Sequence, residues 1–303
     1  MKVLIIGLGP IAKKHIKALR KVFPDVIIYA LRSQQNNSEV EGVINIYDLP
    51  AINNLAIDFV IISNPTANHQ QTIKQLIPYN LPLFIEKPLF DNVDATTILK
   101  DVKAKHIITY VACNLRFLGC LGFIKQFVQD KRINEVNSYC GSYLPDWRPM
   151  QDFREVYSAN KEMGGGVHLD LIHEIDYIYW LFGIPNKAFS TKTNKSSLSI
   201  SAIDYANYLL EYPRFCASIV LNYYRRDAKR TLEILTDEGT IYVDLLKNNV
   251  LFNGKLVYSS EKTIMDTYED QLSFFIDQIL VQKQKFNTID EAFKILKLCI
   301  AND

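Results

Sequence analysis

Residues 1–15, Met1-Lys2-Val3-Leu4-Ile5-Ile6-Gly7-Leu8-Gly9-Pro10-Ile11-Ala12-Lys13-Lys14-His15, decide how the rest of the chain reads. An apolar run from Lys2 to Ile6 ends on Gly7-x-Gly9-x-x-Ala12 and passes directly into a helix-like segment, Ile11 to Val22. In that strand–turn–helix setting the otherwise weak G-x-G-x-x-A pattern points to a dinucleotide. Gly7 permits the tight turn, Gly9 lets the backbone approach a pyrophosphate, and Ala12 keeps the helix close to the sheet. The helix N-terminus then presents its free N–H groups to the diphosphate, so Gly7, Gly9, Pro10, Ile11 and Ala12 form the candidate phosphate cradle.

Working outward, short apolar runs at Val26 to Ala30, Phe59 to Ser63, Leu83 to Ile85 and Ile107 to Ala112 alternate with helical spacing at Asn68 to Ile77 and Asp94 to Val102. Alternation of this kind predicts βαβ units, and so an α/β fold with a doubly wound parallel sheet over residues 1–114. Beyond Asn114 the pattern changes to a helix at Leu121 to Gln129, a strand at Glu135 to Tyr143 and an irregular aromatic stretch. A helix from Val167 to Phe182 follows, stopped by Gly183. The β-branched and aromatic run to Tyr258 reads as an antiparallel sheet, and helices at Tyr268 to Val281 and Asp290 to Cys299 close a second, α+β domain expected over 115–303.

The 303 residues suit two domains. Lys plus Arg number 34 against 33 Asp plus Glu, so no broad field exists to hold nucleic acid or an anionic membrane. The N-terminal apolar run is too short for a signal or a transmembrane span. Five scattered cysteines, Cys113, Cys120, Cys140, Cys216 and Cys299, offer no metal-binding spacing. They read as small buried hydrophobes in a reduced, cytoplasmic protein without a bound metal.

About 20 residues after the glycines, where a carboxylate would bind the ribose hydroxyls of NAD, the chain reads Ala30-Leu31-Arg32-Ser33. A guanidinium and a hydroxyl there favour the 2′-phosphate of NADP over NAD. Two further clusters close strands at the ligand-binding edge of such a sheet: Ser63-Asn64-Pro65-Thr66 with His69, and Glu86-Lys87-Pro88. Asn64, Pro65, Thr66, His69, Glu86 and Lys87 are therefore expected at the cofactor, with Lys87 held on extended backbone by Pro88. A third cluster, Gly164-Gly165-Gly166 followed by Asp170, His173 and Asp176, sets polar groups every three residues along one helical stripe. Histidine there suits proton transfer near neutrality.

Taken together and in this order, the glycine turn, Glu86-Lys87-Pro88 and the glycine-triplet helix resemble the Gfo/Idh/MocA oxidoreductases across nearly the whole chain. The resemblance implies an N-terminal Rossmann domain for NAD or NADP, and a C-terminal domain with an open, mostly antiparallel sheet that holds the substrate and often an oligomer interface. The family lysine, aspartate and histidine match Lys87, Asp170 and His173. Many members separate the last two by four positions, where this chain separates them by three.

The expected reaction is reversible oxidation of a secondary alcohol on a sugar, sugar acid, cyclitol or nucleotide sugar, with hydride exchanged at the nicotinamide. His173 is the candidate acid/base, Lys87 the partner of the reacting oxygen, and Asp170 the residue that orients the substrate or tunes the lysine. Asn114, Arg116, Tyr143, Trp147 and Arg148 supply aromatic faces and cationic donors for the substrate. Two other readings are compatible: a reductase of imine, dihydrodiol or bilin type, and a cofactor-binding regulator without turnover. A homodimer or homotetramer formed through the second sheet is expected.

Overall fold

The computed structural model describes residues 1–32 and 39–301. These form two compact units, Met1–Cys113 with Tyr268–Lys294, and Asn114–Thr267 with the chain from Ile295 onward.

In the first unit β1 (Lys2–Ile6), β2 (Ile27–Leu31), β3 (Val43–Ile46), β4 (Phe59–Ile62), β5 (Leu83–Glu86) and β6 (Thr109–Ala112) lie in the order β3-β2-β1-β4-β5-β6. Every pairing is parallel. The connecting helices are α1 (Pro10–Val22), α2 (His69–Leu76) and α3 (Thr96–Ala104). β4, β5 and β6 are buried along their whole length, as strands covered on both faces must be. The strand order turns back between β1 and β4, which opens the edge where such sheets take their ligands. β3 is an addition to the five strands expected; its four residues are short and only half-buried, so their apolar signal is weak.

The second unit holds α4 (Gly119–Phe127), β7 (Ile133–Tyr143), α5 (Val167–Asp170), α6 (His173–Phe182) and seven further strands. These are β8 (Lys187–Thr193), β9 (Tyr205–Glu211), β10 (Cys216–Asn222), β11 (Tyr224–Thr236), β12 (Thr240–Asp244), β13 (Asn249–Phe252) and β14 (Lys255–Ser259). The sheet runs β14-β13-β12-β11-β7-β10-β9-β8, antiparallel except where β7 meets β10. One face packs on helices: Tyr177 of α6 shares a 2.6 Å hydrogen bond with Ser138, and the Arg230 guanidinium donates to Glu174 at 2.6 and 3.1 Å. On the strands that pair β8 with β9, Phe189 and Leu209 stay exposed while Tyr208 is buried, the two-residue alternation of a sheet with one open face. Four cysteines are buried as expected, whereas Cys216 at the start of β10 is exposed.

Two expectations change. The helix expected from Val167 to Phe182 is interrupted: α5 ends at Asp170, Leu171 leaves helical geometry at φ −102°, ψ 29°, and α6 starts at His173. The closing helices, α7 (Thr267–Phe274) with its π-helical continuation Phe275–Val281 and α8 (Ile289–Ile300), were expected in the second domain. The structure places Tyr268–Lys294 with the first unit. There Phe275 meets Phe59 and Phe84 edge-on at 5.1 and 5.3 Å, and Asn287 Nδ2 donates to the Val111 carbonyl at 2.7 Å. An amphipathic stripe shows that a helix is covered, but not which sheet covers it. No helix among the described residues is long and apolar enough to cross a membrane.

Candidate functional site

In the first unit the chain returns through three loops at the C-terminal ends of β1, β4 and β5. Gly7 adopts φ +88°, and a β-carbon there would sit 2.5 Å from the Asn64 backbone, so glycine is required by both conformation and space. A β-carbon at Gly9 would meet nothing within 4 Å. Pro10 opens α1, no side chain caps it, and its first turn carries no acidic group. The first helical bond runs from Lys13 N–H to the Gly9 carbonyl, so the amides of Ile11 and Ala12 precede the hydrogen-bonded ladder. Asn64 donates to Thr72 Oγ1 at 2.8 Å while its own Oδ1 is buried without a partner. An open helix N-terminus, a close-approach glycine and an orphaned acceptor suit a dinucleotide.

Arg32 follows β2 and reaches Asn45 Oδ1 at 3.4 Å; Ser33 lies outside the described residues. Pro65 is exposed and Thr66 half-buried beside Asn64. His69, expected at the cofactor, is 1% exposed, and its ring nitrogens lie 3.0 Å from the carbonyls of Leu89 and Asn64. It therefore packs between the β4 and β5 loops instead, and burial lowers its pKa, so its single N–H can bond one of the two carbonyls. Glu86 is likewise turned inward: its Oε1 lies 2.5 Å from His15 Nε2, and its Oε2 accepts the Lys87 N–H at 3.1 Å. Lys87 is half-buried on the following turn, and its bond to Pro88 is cis.

In the second unit the expected stripe resolves into separate partnerships. Asp170 is 6% exposed, and each of its oxygens accepts a phenol at 2.5 Å, Oδ1 from Tyr157 and Oδ2 from Tyr223. Burial first, and the Asp170 charge second, push both phenol pKa values up, so both hydroxyls keep their protons and act as donors. Tyr223 has no exposure, whereas Tyr157 is 39% exposed. Tyr157 borders a cavity of about 640 Å³ with Arg148, Gln151, Asp152, Glu155 and Met163. Trp147 stands edge-on to Tyr223 at 5.3 Å and donates to Ser142, and the Arg148 guanidinium lies 5.9 Å from the Tyr157 ring.

The structure thus brings Trp147, Arg148, Tyr157 and Asp170 into one cluster. Tyr143 stands beside Arg226, which donates to its hydroxyl at 3.1 Å. The glycine triplet explains how the cluster closes. A β-carbon at Gly165 would lie 1.9 Å from the Tyr157 carbonyl, so only glycine lets the Tyr157 turn press against the start of α5.

Asp176 is committed elsewhere, in a bidentate pair with Arg116 at 2.9 and 2.8 Å in which neither side chain exceeds 1% exposure. Arg116, expected at the substrate, is thereby a structural cation, and Asn114 donates to Thr267 Oγ1 at 2.7 Å. His173, at the first position of α6, is 9% exposed. The neighbouring His168 is buried, which lowers its pKa to about 4, with Lys192 adding to the effect. The three-residue spacing of Asp170 and His173 showed neither the break at Leu171 that puts them on separate helices nor their partners. The acid-anchoring role of Tyr157 has no sequence signal beyond the glycine triplet that admits it.

Residues 1–112 match a family model described as an oxidoreductase family with an NAD-binding Rossmann fold, and residues 123–242 match the GFO/IDH/MocA C-terminal domain. The oxidoreductase YrbE of Bacillus subtilis (strain 168) is 25% identical over 232 residues, 72% of this chain and 65% of the relative. The scyllo-inositol 2-dehydrogenase (NADP(+)) IolW of the same organism is 26% identical over 170 residues, 54% and 46% of the two chains. The chain thus spans less than two thirds of the length of these relatives. A solved myo-inositol 2-dehydrogenase from Lactobacillus plantarum shares the fold with a TM-score of 0.79 at 21% identity, covering 99% of this chain and 95% of its own.

Proposed function

The chain belongs to the GFO/IDH/MocA oxidoreductase family, and from that premise we propose that it interconverts a secondary alcohol and a ketone on a sugar-like ring, with NADP as the preferred dinucleotide. The observation that carries the reading is the uncapped N-terminus of α1 behind Gly7 and Gly9. When bound there, the nicotinamide dinucleotide supplies the two-electron acceptor or donor. Gly9, Ile11 and Ala12 hold its diphosphate, Asn64 and Thr66 flank it, and Arg32 meets the 2′-phosphate.

His173 takes or returns the hydroxyl proton, and Lys87 steadies the charge on the reacting oxygen. Asp170 acts through Tyr157: its oxygens carry two phenol donors, and the half-exposed phenol presents the remaining lone pair to a substrate hydroxyl. Arg148, beside that ring, suits a substrate bearing a carboxylate or phosphate. Relatives named for inositol support a ring polyol. Self-association is proposed through the open sheet face marked by Phe189 and Leu209, which light scattering would check.

Thermal denaturation with each dinucleotide, followed by cofactor reduction across inositols, hexoses, sugar acids and nucleotide sugars, tests the reading. NADP+ should raise Tm more than NAD+, because a ligand that binds only the folded state stabilises it. Lys87→Ala and His173→Asn should each lower turnover on the accepted substrate by about 10²-fold or more. Undiminished turnover in His173→Asn would favour the imine, dihydrodiol or bilin type of reductase, and dinucleotide binding without turnover on any member of the panel would favour a regulator.

A further inference from the structure

A buried histidine that the proposed chemistry does not use reaches the turn carrying Lys87. His15 lies within α1, six positions after Gly9, and has no solvent exposure. Its ring stands edge-on to Phe84 at 5.1 Å and to Tyr268 at 5.5 Å. Nε2 lies 2.5 Å from Glu86 Oε1, whereas Nδ1 is buried without a hydrogen-bond partner. The proton therefore sits on Nε2, which donates to Glu86. The other oxygen of that carboxylate accepts the Lys87 N–H at 3.1 Å. One carboxylate, 6% exposed, thus joins the helix that opens the phosphate cradle to the backbone of the candidate lysine.

The contrast with His69 is informative. That ring has backbone carbonyls, not side chains, at both of its nitrogens. His15 instead engages the side chain immediately before Lys87. A buried carboxylate must be paired or lose its charge, so removing the imidazole would leave Glu86 free to turn away and break its bond to the Lys87 N–H.

We propose that His15 is a positioning residue for Lys87, acting through Glu86 to lock the lysine turn in register with α1. The geometric claim stands within the first unit; its consequence for turnover rests on the role given to Lys87 under Proposed function.

The test labels lysines in the full chain with a limiting amine-acylating ester and reads Lys87 by peptide mass spectrometry, normalised to the exposed Lys103. In His15→Leu, Lys87 should acylate about 3- to 10-fold faster, the factor that loss of one ordinary hydrogen bond produces. His15→Gln, whose amide can still donate to Glu86, should return the rate to that of the wild type. A rate in folded His15→Leu equal to the wild type overturns the proposal. Should His15→Leu not fold, His15→Phe, which keeps the ring packing and loses the donor, carries the same expectation and the same overturning result. Loss of the fold in both apolar variants would show the pair to be purely structural and also overturn it.

On an accepted substrate, His15→Leu should lower kcat with little change in the KM for NADP+, as loss of lysine alignment predicts and loss of cofactor affinity does not. A wild-type protein that binds neither dinucleotide would sink the proposed function while leaving the labelling result to stand or fall by itself.

Discussion

In the first unit the candidate site is made mainly of backbone: a glycine at φ +88° against the Asn64 main chain, the open amides of α1, and a lysine on the bend after β5, with His15 and His69 contacting the same loops. In the second unit it is made of side chains. Two phenols converge on Asp170, and the same unit is held by buried ion pairs, Arg116 with Asp176 and Arg230 with Glu174. A backbone cradle recognises what all dinucleotides share, and it tolerates few residue types but little else. A lattice of side-chain pairs can be re-tuned one residue at a time, which is what the substrate side of the proposed enzyme would need.

The comparison breaks most sharply at Arg116. Replacing it by leucine strands the Asp176 carboxylate in a fully buried site, and urea unfolding should show a loss of about 3–5 kcal/mol. A loss comparable to that of an exposed charge would mean that the second unit does not depend on its internal pairs.

Acid should expose the same dependence. His168 titrates near pH 4 in the folded chain because of burial, against about 6.5 when unfolded. The unfolded chain therefore takes up the proton first as the pH falls. The stability present above about pH 6.5 should drain away down to about pH 4, by about 3 kcal/mol in total. His69 in the first unit is shifted in the same direction by burial and adds to the slope. Replacing His168 by glutamine should flatten the urea-midpoint profile over that window, and an unchanged profile would remove His168 from the account.

The smallest of the three effects belongs to the backbone side. Gly7→Ala must accommodate a positive φ and a β-carbon against Asn64, at a cost of about 1–3 kcal/mol. NADPH titration followed by fluorescence should show weakened binding alongside the lowered Tm. Full affinity would show that the apposition of the two loops is dispensable.

Much of the first unit was legible because its requirements are local. A glycine turn, a lysine before proline and strands of four or five residues each leave marks within a few positions. The shortest strand, β3, left too few residues for its period to register. In the second unit the decisive contacts link residues 13, 53, 56 and 60 positions apart. Asp170, His173 and Asp176 look equivalent along the sequence, yet one anchors phenols, one heads a new helix and one neutralises an arginine. The break at Leu171 separates them, and no residue type there announces it.

The sequence by itself determined the parallel sheet and the glycine turn at its edge, because periodicity and turn chemistry act over short spans of chain. Only the tertiary structure decided that Tyr268–Lys294 folds with the first unit, that Tyr157 bonds Asp170, and that His15 meets the Glu86 side chain next to Lys87. Those pairings depend on which buried charges and apolar stripes meet in space, and burial leaves no mark on the identity of the residue that will satisfy it.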